Sequence, residues 1–235
     1  MKHNLFKHRR LVAAAAAAFV GTAANATLVL VAPENFSGTG LGAVNTVLTI
    51  KSPGSTTFEQ GSVGRTTANV EFTLGDTQAQ SQTRTLGDLG IVSASSLRVV
   101  FNASEPAGNS ISLDNLVLNI YSPTGAVLFT SGAFSAVAFA NTFTGVGNSG
   151  FVFGLDATQA AAAQLAAFGG SFANNRVGLS AAASLATGGL ETFFVANSTV
   201  PVTAVPEPQT YALMLAGLSA VGFMARRRPL RDPAV

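Results

Sequence analysis

The chain has 235 residues, 48% of them hydrophobic and only 10% charged, with no Cys and no Trp. A chain this apolar and this poor in charge is not a disordered tail, which pairs low hydrophobicity with high net charge. Its basic balance does not mark a nucleic-acid partner either. Eight of the 13 Lys and Arg lie before residue 11 or after residue 225, while residues 27–205 carry five cations against nine acids. Both histidines, His3 and His8, belong to the basic start of the chain. Without that start the body holds neither His nor Cys. This excludes a Ser-His-Asp triad, a Cys nucleophile and a zinc site of the usual nitrogen and sulfur ligands, and no cofactor is expected.

Residues 1–26 open with a basic stretch ending at Arg10, continue with an apolar run from Leu11 to Val20, and close on Ala24-Asn25-Ala26. That order predicts a secretory signal helix with Ala24 and Ala26 as the small residues of an A-x-A cleavage site. Its expected partners are the Sec translocon and signal peptidase. Ten apolar residues are too few to span a bilayer, which takes about 20. Cleavage after Ala26 makes Thr27 the new terminus, with cleavage after Ala24 as the near alternative.

Residues 27–199 read as one all-β domain. In Thr67–Leu74 every even position is apolar and every odd one polar, the pattern of an antiparallel strand with one wet face. Val44–Lys51, Leu97–Asn102, Val127–Ser131, Phe151–Leu155, Arg176–Ala181 and Thr192–Ala196 are further strand candidates, separated by Gly, Ser, Asn and Pro clusters. Within Ile111–Tyr121 the apolar phase slips at Asp114-Asn115, which predicts a β-bulge or a strand changing sheets. The following residues 121–126 predict a hairpin turn. Many strands and Gly-rich loops argue for an antiparallel β-sandwich or jelly roll, with fourteen phenylalanines of the body expected to fill its core.

One segment breaks the β pattern. Asp156 is placed as an N-cap, with Gln159 at the capping-box position. An Ala-rich run follows, and Gly169-Gly170 ends it. This predicts one short helix over about 156–168, with Ala161, Ala162, Leu165 and Phe168 against the sheet.

The body offers little chemistry. Glycoside hydrolysis needs two carboxyls about 5–10 Å apart, and Glu59, Glu71 and Glu191 are the candidates; most acids are expected at solvated positions. Asp76, Asp88 and Asp114-Asn115 lie in loops that suit Ca²⁺, but without a D-x-D-x-D-G loop they read as turn residues bonding their own backbone. The glycine-rich Phe36–Gly42 lacks the Lys and the helix of a phosphate loop and reads as a connection.

The far end is more specific. Residues 200–209 hold Pro201, Pro206 and Pro208 and predict an extended linker, since proline lacks the N–H and restricts its predecessor. Tyr211–Ala225 is an uninterrupted apolar run with no polar face. A helix over 210–225 is therefore expected to enter the membrane, at about 22 Å just short of the hydrocarbon core. Arg226, Arg227 and Arg228 fix its orientation, leaving 226–235 as a basic cytoplasmic tail.

These residues resemble the PEP-CTERM sorting-signal proteins of Gram-negative bacteria. The resemblance lies in Val205-Pro206-Glu207-Pro208, Thr210, the apolar helix with Ala216-Gly217-Leu218, and the Arg226–Arg228 cluster. It implies recognition by a membrane exosortase that cleaves near Pro206-Glu207-Pro208 and passes the body to the cell surface, in the company of exopolysaccharide and biofilm. The expected function is a non-catalytic surface or matrix protein. A carbohydrate-binding module is the alternative, which a wet groove on one sheet would reveal, and a carboxylate-based hydrolase stands behind it.

Overall fold

The structure, a computed structural model, describes residues 27–34, 36, 45–54, 56–106, 108–140, 150–202, 214–219 and 221. Two antiparallel sheets face each other across one core. The first has the order β1 (Leu28–Leu30), β10 (Gly150–Leu155), β6 (Leu97–Asn102), β12 (Glu191–Asn197), β2 (Thr46–Ile50). The second runs β4 (Glu71–Gly75), β3 (Phe58–Arg65), β11 (Arg176–Ser184), β7 (Ile111–Tyr121), β8 (Val127–Thr130). Short β5 (Arg84–Thr85) also pairs with β11, and β9 (Val137–Phe139) with β7.

The connections define the topology. From β2 to β3 and from β6 to β7 the chain crosses between sheets. On its return, β11 inserts between β3 and β7, and β12 between β2 and β6. β10 then flanks β6 and β8 flanks β7. This winding of two Greek keys is a jelly roll; β1 and β4 extend the two sheets by one strand each.

The core lies between the sheets. Leu48, Phe101 and Phe193 share one inward row, and the two Phe rings stack at 4.9 Å. Of the thirteen body phenylalanines among the described residues, Phe101, Phe129, Phe139, Phe153, Phe168 and Phe193 are buried, and Phe58 is exposed. Aliphatic side chains make up most of the core, correcting the expectation of a Phe-filled interior.

β6 is buried along its whole length because both its faces are covered. Outside it, Val100 and Val152 lie under Val31, Phe36 and Val202. The segments that enter and leave the domain therefore cross the outer face of the first sheet. Residues 200–202, read as the start of the linker, rest on this face.

Asp114 is the bulged residue of β7: Asn115 pairs with Ala182 and Leu113 with Ala183. The strand bulges without changing sheets. The 121–126 turn forms as expected, closed by Ser122 N–H to the Ala126 carbonyl, with Gly125 at φ +88°.

Helix α1 (Ala157–Ala167) is capped by the Asp156 carboxylate, which accepts from Gln159 N–H at 2.9 Å. Gly170 at φ +57° follows its end. Of the residues expected against the sheet, Phe168 is buried, but Ala161, Ala162 and Leu165 are exposed. Ala163 and Ala167 are buried while Leu165 is 89% exposed. Alanines on every side give no amphipathic stripe, so the pattern did not fix the helix rotation. The Gln164 side chain sets it instead, accepting Ala94 N–H at 2.9 Å.

Among the described residues no helix is long and apolar enough to cross a membrane. Residues 214–219 are helical and exposed; the rest of the predicted 210–225 helix, and the signal helix 1–26, lie outside the described residues.

Candidate functional site

Three places on the molecule bear on function. The first is the junction of its ends. The Arg98 guanidinium is 0% exposed and meets Glu34 at 2.9 Å. It also donates to the Ser95 carbonyl at 2.8 Å and to the Val200 carbonyl. The other oxygen of Glu34 accepts from the Ser198 hydroxyl. Val202 completes the contact over Gly154, where a Cβ would lie 2.9 Å from its side chain. The exit strap thus stays on the sheet until residue 202, four residues before Pro206.

The second place is a cluster of three buried glutamates: Glu59 from β3, Glu191 from β12, and Glu105 from the loop after β6. Most of the acids of residues 27–205 are at least partly exposed, as expected; these three are the exceptions. Glu105 is fully used, accepting from Thr187 N–H and Oγ and from Gly188 N–H, and so holds the β11–β12 loop. Glu59 accepts from Ser52 N–H at 3.0 Å. No group hydrogen-bonds to either oxygen of Glu191. Burial first, then the Glu59 carboxyl, push its pKa up to about 10. It is therefore protonated at neutral pH, with the Glu59 carboxyl as its neighbour from the other sheet. Glu191 is 0% exposed, so it lies inside the fold as an internal pin.

Of the carboxyl candidates, then, Glu59 and Glu191 come together. Glu71 does not join them: on β4 it pairs with Arg65 and accepts from Thr83 N–H at 2.8 Å. Of the acids expected to bond their own backbone in turns, Asp114 lies in β7 and Asp76 reaches across to β3. Asp76 accepts Gln60 N–H at 3.0 Å and Asp114 the Ser112 hydroxyl at 2.7 Å, while Asp88 N–H donates to Thr85 Oγ. Among the described residues no three His, Cys, Asp or Glu side chains form a group able to hold a metal.

The third place is the outer face of the second sheet, which nothing in the described chain covers at its centre. Gln60, Ser62, Asn115, Ser180 and Ala182 surround a shallow recess of about 330 Å³, with Leu74 on its rim. No charged side chain lines it. One end of the face is closed by the Tyr121 ring, which lies over Gly64 and Gly178. A Cβ at Gly178 would come within 3.0 Å of that ring, and one at Gly64 within 2.5 Å of its hydroxyl. Burial raises the Tyr121 pKa, against a hydrogen bond from the Arg65 backbone. At the other end Phe58, opposite Ser184, stands exposed. Sequence reasoning missed this face because β3, with Gly61 and Gly64, shows no apolar alternation.

The predicted cleavage residues Ala24 and Ala26, the motif Pro206, Glu207 and Pro208, and Arg226, Arg227 and Arg228 lie outside the described residues, as do residues 37–42 of the glycine-rich segment.

A jelly-roll domain with a strapped-down exit is thus defined by the geometry. Residues 204–228 match the model of the PEP-CTERM protein-sorting motif. The chain carries that motif directly after the strap, and the match supports an exported protein targeted to an exosortase and processed at the membrane. No curated protein and no solved structure matches the chain.

Proposed function

We propose that this is a non-catalytic cell-surface or matrix protein, exported through Sec and processed at both ends. Signal peptidase removes residues 1–26. The 210–225 helix holds the precursor in the membrane with Arg226–Arg228 on the cytoplasmic side. An exosortase then cleaves near Pro206-Glu207-Pro208, and the body takes its place with exopolysaccharide in a biofilm. The observation that carries this reading is the sorting-motif match over residues 204–228. Mass spectrometry of both termini of the protein taken from the cell surface tests it. A start at Thr27 and an end before Tyr211 are expected; an intact Arg226–Arg228 on surface material would overturn it.

A second reading concerns what the body meets, and the recess on the second sheet favours it: the body binds a neutral glycan chain. Hydroxyl and amide groups without charge (Gln60, Ser62, Asn115, Ser180) suit sugar hydroxyls, and exposed Phe58 offers an apolar surface for a ring face. Binding to the producer's purified exopolysaccharide that is lost in Ser180→Arg supports the reading. Equal binding by both proteins sinks it, and turnover of model glycosides would move the body to the hydrolases.

A further inference from the structure

The Asp156 carboxylate serves two partners. Its Oδ1 accepts Gln159 N–H at 2.9 Å and closes the first turn of α1. Its Oδ2 accepts from the backbone nitrogen of Thr27 at 2.8 Å, a residue 129 positions away. Asp156 N–H returns a bond to the Thr27 carbonyl at 3.4 Å, next to the pairing of Leu28 with Leu155. Thr27 is the residue that cleavage after Ala26 turns into the first of the chain. In the precursor its nitrogen is a neutral amide; in the cleaved protein it is an α-ammonium.

We propose that Asp156 is the receptor for the α-ammonium that cleavage between Ala26 and Thr27 creates, so that removal of the leader strengthens the folded body. The proposal rests on the reading of residues 1–26 as a signal peptide. The bond to the carboxylate is already charge-assisted in the precursor; cleavage adds a positive charge to the donor at the same 2.8 Å contact, and the acceptor is already aimed and held by its second task as the cap. The surroundings leave the pair undisturbed. β1, β10, α1 and the 3-10 turn Ala94–Ser96 carry no ionisable side chain, and neither does the 197–202 strap beside the helix start. The charged group on the next strand, Arg98, is engaged by Glu34. An α-amine has an ordinary pKa of about 7.7–8.0, and the carboxylate raises it in the folded state. The added stability is full below that range and is lost as pH rises through the folded value.

The test uses full-length precursor exported and processed by the cell. The purified mature protein and its D156N variant are each compared before and after selective acetylation of the folded protein's α-amine, Lys51 being the one lysine of the body. Asn caps a helix as well as Asp, so D156N removes the charge and keeps the cap. Acetylation should lower the Tm of the native protein by about 2–4 °C, leave that of D156N unchanged, and lose its effect by about pH 10. An equal effect on both proteins overturns the proposal. So does a mature chain that begins at Asn25, which would leave export itself intact. If D156N does not accumulate, the α-amine pKa of the native protein decides: above about 8 it supports the proposal, at or below that value it overturns it.

Discussion

Arg98 and Glu34 form an ion pair of 2.9 Å at the point where the chain's way into the domain crosses its way out. The guanidinium reaches Val200 on the exit strap, and Glu34 on the entry segment reaches Ser198. One buried charge pair therefore ties the entry and exit segments to the outer face of a single sheet. It keeps that face dry over Val100 and Val152.

Arg98→Met should release the strap. The stem's volume is kept, but Glu34 is left without its counter-charge and the Val200 carbonyl without its donor. Breaking such a pair costs about 3–5 kcal/mol. Urea unfolding should report the loss, and limited proteolysis should newly cut within residues 198–202.

The Glu59–Glu191 pin makes stability fall with rising pH. Glu191 has a folded pKa raised to about 10 from the ordinary 4.5. Its contribution is full below about 4.5 and lost progressively as pH climbs toward 10, at up to about 1.4 kcal/mol per pH unit for one proton. Glu191→Gln keeps the shape and stays neutral at every pH. Its unfolding midpoint should depend less on pH than the native protein's between pH 5 and 9. Parallel curves would show that Glu191 is ionised in the fold.

Gly178 lets two neighbours approach. A Cβ there would stand 2.5 Å from the Val63 carbonyl oxygen and 3.0 Å from the Tyr121 ring. Gly178→Ala should destabilise the domain by about 1–3 kcal/mol through overpacking. The tyrosine fluorescence of the mature body, which arises from Tyr121 alone, should shift with it.

The helix rotation can be checked by a pair of substitutions. Leu165→Asp, on the exposed side, should change stability by less than about 0.5 kcal/mol. Ala163→Leu, in the buried contact, should cost about 1–3 kcal/mol. The reverse ranking in thermal unfolding would restore the face expected from sequence.

Local devices were legible. The Asp156 cap, the glycine stop and the bulge at Asp114 each need only a few adjacent residues to be recognised, and all three are present. β3 was not legible: Phe-Glu-Gln-Gly-Ser-Val-Gly-Arg buries its Glu59 and exposes its Phe58, the reverse of the usual preference. β1, β5 and β9 are two or three residues long and leave no period to read. The cleanest alternation, Thr67–Leu74, misled in another way. Its strand β4 is a sheet edge, so Leu74 is 61% exposed and the apolar parity has little to bury against.

The order of charge, apolar run and small residues at the start, the motif and arginines at the end, and the β character of the middle were determined by the amino-acid sequence alone. Each is a short-range pattern that acts through its own composition. The jelly-roll order of strands, the uncovered recess, the proton held by Glu191 and the clasp at Arg98 were decided by the tertiary structure. They join groups as far apart as Glu34 and Ser198, 164 positions along the chain. The field and burial that set their chemistry exist only once the two sheets have closed on each other.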